Sequence, residues 1–286
     1  MVALASPAKS IARVGVRGWG TATSARRPLP DFVIVGAKRG GTTTMFRSLQ
    51  AHPQVLGLYP ASQGKKSPHY FDLEHHRGPR WYRSFFPTEA ARTAGGGPRR
   101  LVGEASPYYL FHPHAPSRIA DELPDAKLVV MLRNPVDRAF SHHWDRVKNG
   151  VETESFEEAI RLEPERLAGE RQAMLVDPTY QSHAYEHFSY LARGNYAAQL
   201  EHLFAVVDRE RVLVLQSEPF YADPQAGYEQ VLAFLGLPHH APAEFGKLHG
   251  HADRPSVAPE TRARLDEHFA PSDAALARLL ETDPWW

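Results

Sequence analysis

Short, mostly apolar runs alternate with longer amphipathic segments along the chain after residue 30. The runs lie at 32–35, 101–103, 127–132 and 211–215, with a weaker one near Val55. Continuous runs of this length are typical of strands that are buried on both faces. The segments between them repeat apolar residues every three or four positions, which predicts helices. Strands that alternate with helices favour a three-layer α/β/α fold with a central parallel sheet.

The helix predicted to begin at Pro135 has the clearest pattern. Proline suits the first turn of a helix, where the missing N–H leaves no acceptor unpaired. Phe140, Trp144 and Val147 follow at spacings of four and three, which predicts that all three share one buried face. Further helices are predicted at 117–123, 196–207, 226–235 and 259–280.

Residues 36–44, called the anion loop below, follow the first predicted strand and open a helix. Glycines allow backbone N–H groups to converge, and the unpaired amides at a helix start favour a phosphate-like anion. Hydroxyl and cationic side chains add further donors. The candidate ligand-binding residues of this loop are Lys38, Arg39, Gly40, Gly41, Thr42, Thr43 and Thr44.

The anion loop departs from the phosphate loop of nucleoside-triphosphate enzymes. That motif is G-x-x-x-x-G-K-[ST], and Gly36 and Gly41 have its spacing. Thr42 occupies the position of the lysine that reaches the β and γ phosphates. A phosphate-type anion is therefore expected, but ATP is not expected in its usual mode. A P-loop nucleoside or small-molecule kinase remains the alternative, although no apolar strand ends in a convincing magnesium-binding aspartate.

A second anion-binding pattern follows the strand at 127–132. Arg133 ends that strand, and Ser141 lies two helical turns further on. A guanidinium and a hydroxyl in this arrangement can bind one anion. Because ligands of parallel sheets bind beyond the carboxyl ends of the strands, both anion sites are expected on one rim. Two such sites predict a ligand with two separated phosphate groups.

The composition excludes several classes of partner. The 286 residues include 33 Lys and Arg and 33 Asp and Glu, so no basic field indicates nucleic acid. The chain has no cysteine, and no apolar run reaches the length of a membrane span. Its loop histidines lack a metal-ligand spacing, so no metal is expected. Composition leaves the oligomeric state open.

Residues 1–30 have a separate character. They contain no Asp or Glu, carry five basic residues, and are rich in Ala, Ser, Thr and Gly. We interpret them as a disordered basic tail, which leaves 31–286 as one domain in a cytoplasmic protein. An organellar transit peptide is the alternative, because such peptides are also Arg-rich and free of acids.

The motifs KRGGTTT and RNPVDRAFS, each after a strand and in this order, resemble the sulfotransferase family that uses 3′-phosphoadenosine 5′-phosphosulfate (PAPS). The similarity is greatest to the heparan-sulfate and bacterial branch, and it runs from Asp31 to the C-terminus. The resemblance implies an enzyme that transfers a sulfuryl group, without a metal, to a hydroxyl or amine. The acceptor is expected to be a carbohydrate, a lipid or a small molecule that the sequence does not identify.

The resemblance also assigns roles by position. The loop residues from Arg39 to Thr43 match those that surround the 5′-phosphosulfate, and Arg133 and Ser141 match those that hold the 3′-phosphate. Arg39 replaces a lysine of the family, so Arg39 is expected to stabilise charge on the bridging oxygen, with Lys38 as a possible substitute. One residue of the later loop is expected to approach the 3′-phosphate, from among Lys247, His249 and Arg254.

Two further departures concern the catalytic base. Ser67 stands where the heparan-sulfate branch has a glutamate base, and Ala105 stands where it has a lysine. Serine is not a base unaided, so His69 and Glu104 are the candidates. The same departures motivate another alternative, a non-catalytic family member that binds nucleotide or glycan without transferring a group.

Overall fold

One parallel sheet forms the centre of the protein. The computed structural model describes residues 7–242, 245 and 256–286, with side chains from residue 15 onward. Its strands are β1 (Phe32–Gly36), β2 (Val55–Leu56), β3 (Leu101–Ala105), β4 (Lys127–Leu132) and β5 (Val212–Gln216). They form a five-stranded sheet in the order β2-β3-β1-β4-β5, and every neighbouring pair is parallel.

The central strands are those with the most continuous apolar sequence. β1 pairs with β3 on one side and β4 on the other, and Phe32 lies opposite both Gly103 and Lys127. All five residues of β1 are buried. Because helices cover both faces of this strand, neither face is exposed to solvent. Its sequence is therefore continuously apolar and does not alternate between apolar and polar residues.

Helices cover both faces of the sheet. Val33 and Val35 pack against one group of helices, whereas Phe32 and Ile34 pack against another. The three-layer α/β/α prediction is therefore confirmed. The helix bounds are α1 (Pro7–Ala22), α2 (Thr42–Gln50), α3 (Gly78–Arg83), α4 (Glu89–Thr93), α5 (Ala115–Glu122), α6 (Pro135–Lys148), α7 (Phe156–Arg166), α8 (Glu170–Val176), α9 (His183–His187), α10 (Tyr196–Phe204), α11 (Ser217–Ala222), α12 (Pro224–Leu235) and α13 (Pro259–Leu280).

The N-terminal segment differs from the disordered tail expected of residues 1–30. Helix α1 ends at Ala22, and Arg17 Nη1 donates to the Ser84 carbonyl at 2.7 Å. Arg27 is buried, donates to the Phe86 carbonyl at 2.5 Å, and lies over the Tyr59 ring. Composition suggested disorder because it could not show that these arginines find carbonyl and aromatic partners in the folded domain. Residues 1–6 lie outside the described part.

The buried face of α6 also differs from the prediction. Phe140 is buried, but Trp144 is only partly covered and Val147 is 39% exposed. The residues that pack against α7 and the neighbouring loop are instead Val136, Ala139 and Phe140. The buried face of α6 is thus turned relative to the predicted one, and Trp144 lies towards the functional site described below. In the described chain, no helix is long and apolar enough to cross a membrane.

Candidate active site

A cleft of about 610 Å³ lies at the carboxyl ends of the strands. Its walls come from the anion loop, from the start of α2, from α6 and from residues 66–72, which we call the histidine loop. The lining residues are Lys38, Arg39, Gly41, Thr42, Thr43, Thr44, Lys66, His69, Pro107, Arg133, Ser141, Trp144, Asp145, Arg146, Lys148, Asn149, Glu186 and Tyr221. A second cavity, lined in part by Asp31, Arg99 and Lys127, lies at the opposite edge of the sheet.

Backbone contacts fix the shape of the anion loop. Ala37 N donates to the Met131 carbonyl of β4 at 2.8 Å, and Gly40 N donates to the Ala37 carbonyl at 2.9 Å. A Cβ atom on Gly40 would lie 2.3 Å from the Met131 oxygen, so only glycine fits there. Gly41 has φ of 91°, in the left-handed region that favours glycine. Gly40 thus shapes the loop from behind and does not line the cleft, whereas the other predicted loop residues do.

The start of α2 faces the cleft without a side-chain cap. The amides of Thr42 and Thr43 have no intrahelical acceptor, because they lie in the first turn. Thr43 Oγ1 accepts a hydrogen bond from Lys66 Nζ at 2.7 Å. Two open amides, a helix dipole and an ammonium group therefore lie at the same wall of the cleft, and each of them favours a phosphate-like anion.

The two predicted anion sites meet through Arg39. Its Nε donates to Ser141 Oγ at 3.0 Å, and its Nη1 donates to Asp145 Oδ1 at 3.2 Å. Ser141 belongs to α6, and Arg133 at the end of β4 lines the same cleft. In this state the Arg39 guanidinium points to α6 rather than across the anion loop. The two motifs predicted both anion sites on one rim, but no pattern in the sequence marked the Asp145 carboxylate between them.

Lys38 is a cation with an unusual environment. It lines the cleft but is mostly buried, and among the described residues it has no hydrogen bond or ion pair. Burial lowers the pKa of Lys38 to about 6, and the positive charges of Arg193 and Arg146 add to this effect. A bound anion would favour the charged amine again, because an opposite charge stabilises the protonated form.

His69 and Asp72 form a pair on the opposite wall. His69 Nδ1 lies 2.9 Å from Asp72 Oδ2, and the imidazole lines the cleft. Burial lowers the pKa of His69, but the hydrogen bond and charge of Asp72 outweigh this effect. Smaller contributions from Glu104 and Glu186 help to raise the pKa of His69 above its usual value. The pairing fixes one ring nitrogen and leaves Nε2 for a group in the cleft.

Glu104, the other predicted base, lies behind the wall. Its carboxylate is fully buried and accepts hydrogen bonds from Tyr82 at 2.5 Å, Ser106 at 2.8 Å and Tyr109 at 3.3 Å. Burial raises the pKa of Glu104 to about 7, against the opposing effect of the Tyr82 and Ser106 hydrogen bonds. Glu104 is therefore not among the residues that line the cleft.

Ser67 connects the buried carboxylate to the histidine loop. Its Oγ is hydrogen-bonded to Ser106 Oγ, which donates to Glu104 Oε2, and it accepts from the His69 amide at 3.2 Å. Ser67 thus takes part in a hydroxyl network and is buried. The missing glutamate at this position is evident from the sequence, whereas the hydrogen bonds that Ser67 makes instead are not.

Several lining residues were missed from the sequence, and Tyr221 is the clearest. Its hydroxyl would lie 2.7 Å from a Cβ atom on Gly41, so the ring closes over the anion loop from α11. No local motif marks Tyr221, because α11 reaches the cleft only through the pairing of β5 with β4. The later loop with Lys247, His249 and Arg254 lies outside the described residues.

Comparison with known proteins agrees with the motifs. The sequence profile described as "Sulfotransferase domain" matches residues 29–252. The solved structure of a sulfotransferase from Alicyclobacillus acidocaldarius is 33% identical, with a TM-score of 0.67 over 90% of this chain and 97% of that one. The chain therefore belongs to the sulfotransferase-domain family.

Among the relatives with assigned names are heparan sulfate glucosamine 3-O-sulfotransferases. Isoform 6 of Homo sapiens is 32% identical over 81% of this chain and 59% of its own length. Isoform 3B1 of Mus musculus is 30% identical over 74% of this chain and 47% of its own length. The chain thus spans about half to three fifths of these relatives.

Proposed function

We propose that this protein transfers a sulfuryl group from PAPS to a hydroxyl or amine of a carbohydrate acceptor. The observation that supports this proposal most directly is that the anion loop and the Arg133–Ser141 motif line one cleft and meet through Arg39. A nucleotide with phosphate groups at both ends suits two linked anion sites. Family membership supports transferase chemistry over the kinase alternative, as does the absence of a lysine at Thr42.

The reaction is a substitution at sulfur. An acceptor oxygen or nitrogen forms a bond to sulfur while the bond between sulfur and the 5′-phosphate oxygen breaks. The acceptor proton passes to His69 Nε2, and adenosine 3′,5′-bisphosphate (PAP) leaves with the bonding electrons. Because the phosphate ends are fixed, positioning and charge stabilisation provide most of the catalysis. Arg39 and Lys38 lie in the loop where charge develops on the leaving group.

His69 is the proposed base because it combines exposure to the cleft with an orienting partner. Asp72 holds Nδ1, so Nε2 is the nitrogen that can accept a proton. Glu104 acts from behind through Ser106 and Ser67, where it holds the histidine loop in position. In this proposal Glu104 is a positioning residue.

An anionic sugar is the acceptor class that fits best. Beyond the residues assigned to the nucleotide, Arg146 and Lys148 place two cations on the cleft wall, of which Arg146 is paired with Asp145. Trp144 adds an aromatic surface beside them. Cations next to an aromatic ring are suited to a sulfated or carboxylated carbohydrate. The names of the relatives point to the same class.

Ligand-induced thermal stabilisation tests the nucleotide part of the proposal. PAP at about 100 times its Kd should stabilise the protein by about 2.7 kcal/mol and raise its Tm. Arg133→Ala should reduce this shift at the same PAP concentration. Arg161→Ala, which removes an exposed arginine of α7 that pairs with Glu158, should leave the PAP shift unchanged. The nucleotide assignment is wrong if ATP with Mg²⁺ raises the Tm and PAP does not.

Labelled PAPS separates an enzyme from a member that only binds. The departures at Ser67 and Ala105 are the observations that favour a non-catalytic member that only binds its ligand. Incubation with a panel of sulfated glycans, lipids and phenols should give labelled product with a glycan. If PAP binds but no acceptor becomes labelled, the non-catalytic alternative is favoured. Product that is lost with His69→Ala would reject it.

A further inference from the structure

Glu186 places a carboxylate in a cleft whose other charged residues are mostly basic. It lines the cleft from α9, and the exposed fraction of its side chain is 27%. The other carboxylate that lines the cleft, Asp145, is paired with Arg39 and Arg146. Within the described part of the chain, the one ion pair of Glu186 is a 3.9 Å contact with the adjacent His187 imidazole. The Glu186 oxygens are therefore open to further hydrogen bonds.

The backbone around Glu186 is held from the interior of the protein. Arg193 is buried, and its Nη2 donates to the Glu186 carbonyl at 2.7 Å. The Arg193 guanidinium in turn lies 4.4 Å from the centre of the Tyr108 ring. Ser182 Oγ accepts from the Tyr185 amide at 2.9 Å and caps the start of α9. These contacts fix the short helix from which the Glu186 side chain reaches the cleft.

The charge of Glu186 acts on both walls of the cleft. Burial and neighbouring cations lower the pKa of Lys38 in the anion loop, and the Glu186 carboxylate opposes this effect. Burial also lowers the pKa of His69 in the histidine loop, but Asp72 outweighs it and Glu186 adds to the rise. The carboxylate is therefore within electrostatic reach of the two loops between which an acceptor has to bind.

A carboxylate at this place does not help to bind the nucleotide. Phosphate and phosphosulfate groups are anions, and a like charge nearby weakens their binding. An ionised carboxylate accepts hydrogen bonds and donates none, so it suits a ligand group that donates. A sugar carries hydroxyl groups besides the one that reacts, and each of them is such a donor. Glu186 therefore fits the acceptor and not the nucleotide.

We propose that Glu186 binds a hydroxyl group of the acceptor sugar, next to the group that receives the sulfuryl group. This inference rests on the proposed function, because it requires a carbohydrate acceptor in the cleft. The hydroxyl that Glu186 binds keeps its proton, and the proton of the reacting group still passes to His69. Anionic groups of the acceptor lie instead towards Arg146 and Lys148 of α6. The sugar unit that is sulfated thus presents hydroxyl groups, not sulfate or carboxylate, to α9.

Glu186→Ala should change glycan binding and nucleotide binding in different ways. The assay uses labelled PAPS and the sulfated glycan of the panel that gives the most product with wild-type protein. Loss of a negative charge by itself favours every anion in the cleft, PAP and sulfated glycan alike. Loss of a hydrogen bond to a charged group weakens the glycan alone. The KM for the glycan should therefore rise by about tenfold or more, while the Kd for PAP falls or stays within about threefold of wild type.

Two further variants guard against misfolding and remote effects. Glu186→Gln keeps an oxygen that accepts a hydrogen bond, so its KM for the glycan should rise by no more than in Glu186→Ala. Glu201→Ala removes an exposed carboxylate of α10 and should change neither the KM for the glycan nor the Kd for PAP. A merely structural defect in Glu186→Ala would lower the Tm and weaken glycan and PAP together.

The possible outcomes are distinct. Wild-type protein that binds no PAP, or that labels no glycan, contradicts the proposed function and the inference with it. If wild-type protein labels a glycan and both Glu186 variants keep or lower the KM for it, Glu186 does not bind the acceptor. Parallel weakening of glycan and PAP in both variants assigns Glu186 a structural role. Either of the last two results overturns the inference and leaves the proposed function standing.

Discussion

The anion loop and the histidine loop face each other across one cleft, yet different kinds of bond hold them. Backbone hydrogen bonds and close glycine packing fix the anion loop, through Ala37, Gly40 and the Met131 carbonyl. The histidine loop has one backbone hydrogen bond to β3, from Ala105 N to the Lys66 carbonyl, and is otherwise fixed by side chains from distant parts of the chain, through the network of Ser67, Ser106 and Glu104. Both arrangements need the sheet, because Met131 belongs to β4 and Glu104 belongs to β3. They differ in that the glycine pattern of the anion loop is visible in the sequence, whereas the side-chain partners of the histidine loop are not.

The difference predicts how each side responds to substitution. The anion loop should be sensitive to added atoms, because its shape depends on space. The histidine loop should be sensitive to changes in charge and protonation, because hydroxyl groups and carboxylates hold it. The following predictions test this contrast, beginning with the largest expected effect.

Loss of the His69 imidazole should affect turnover far more than binding. General acid–base catalysis contributes roughly 10²- to 10⁴-fold, so His69→Ala should lower kcat by an amount in that range. The Kd for PAP should change by less than about threefold, because the nucleotide phosphates bind the opposite wall. His76→Ala, at an exposed position nearby, is the matched control. A proportionate loss of PAP affinity would instead assign His69 to the nucleotide site.

The pH dependence of kcat should report on the His69–Asp72 pair. Only neutral imidazole accepts a proton, so kcat should rise with pH as His69 loses its proton. The raised pKa places this midpoint above the usual value of 6.5. Asp72→Asn removes the carboxylate that raises the pKa, so the acidic limb should move to lower pH. If the acidic limb of the kcat profile does not move in Asp72→Asn, the pH dependence of kcat comes from a group other than His69.

A single added methyl group should disrupt the anion loop. In Gly40→Ala the new Cβ would meet the Met131 carbonyl at 2.3 Å, and a backbone atom of a central strand has little room to move. Overpacking of this kind costs about 1–3 kcal/mol. Calorimetry should therefore show PAP affinity reduced by about tenfold or more. Gly97→Ala, where no atom lies within 4 Å of the added carbon, should bind PAP normally.

Glu104→Gln should change stability in a pH-dependent way and leave the chemistry largely intact. The pKa of Glu104 is raised from 4.5 to about 7, so its protonated form stabilises the folded state below about pH 4.5. That contribution is lost as pH rises to 7, and it amounts to roughly 3 kcal/mol. The variant should therefore gain stability relative to wild type between pH 5 and pH 8.

Thermal unfolding at several pH values checks this behaviour. Glu201→Gln, on the exposed face of α10, should show no such trend. Transfer activity of Glu104→Gln at pH 7 should remain within about threefold of wild type, because glutamine keeps a hydrogen-bond acceptor for the network that positions the histidine loop and the side chain lies outside the cleft. A loss of transfer activity as large as that of His69→Ala would instead indicate that Glu104 is the catalytic base.

The smallest effect is expected at Thr43. Thr43→Val removes the hydroxyl that accepts from Lys66 Nζ but keeps the shape of the side chain. Loss of one such hydrogen bond costs about 1 kcal/mol, which corresponds to about a fivefold rise in the Kd for PAPS. Thr93→Val, whose hydroxyl bonds only within α4, serves as the control. Unchanged affinity would show that the Lys66–Thr43 bond is dispensable.

Much of the protein could be predicted from its sequence because the relevant signals are local. Continuous apolar runs identified the strands, and a glycine turn before a helix identified the anion loop. The departure at Thr42 argued against ATP, and the order of the two motifs indicated the family. Each strand or motif consists of residues within a few positions of one another, where sequence spacing fixes spatial arrangement.

Tertiary structure decided which side chains meet across the sheet. It placed Glu104 of β3 behind the wall and His69 of the histidine loop in the cleft. It turned Trp144 out of the predicted apolar face, and it gave Arg17 and Arg27 of the N-terminal segment carbonyl partners in the domain. It also brought Lys66 to Thr43 through a backbone bond to β3. Burial and partnership arise from contacts between residues far apart in the chain, which residue spacing does not encode.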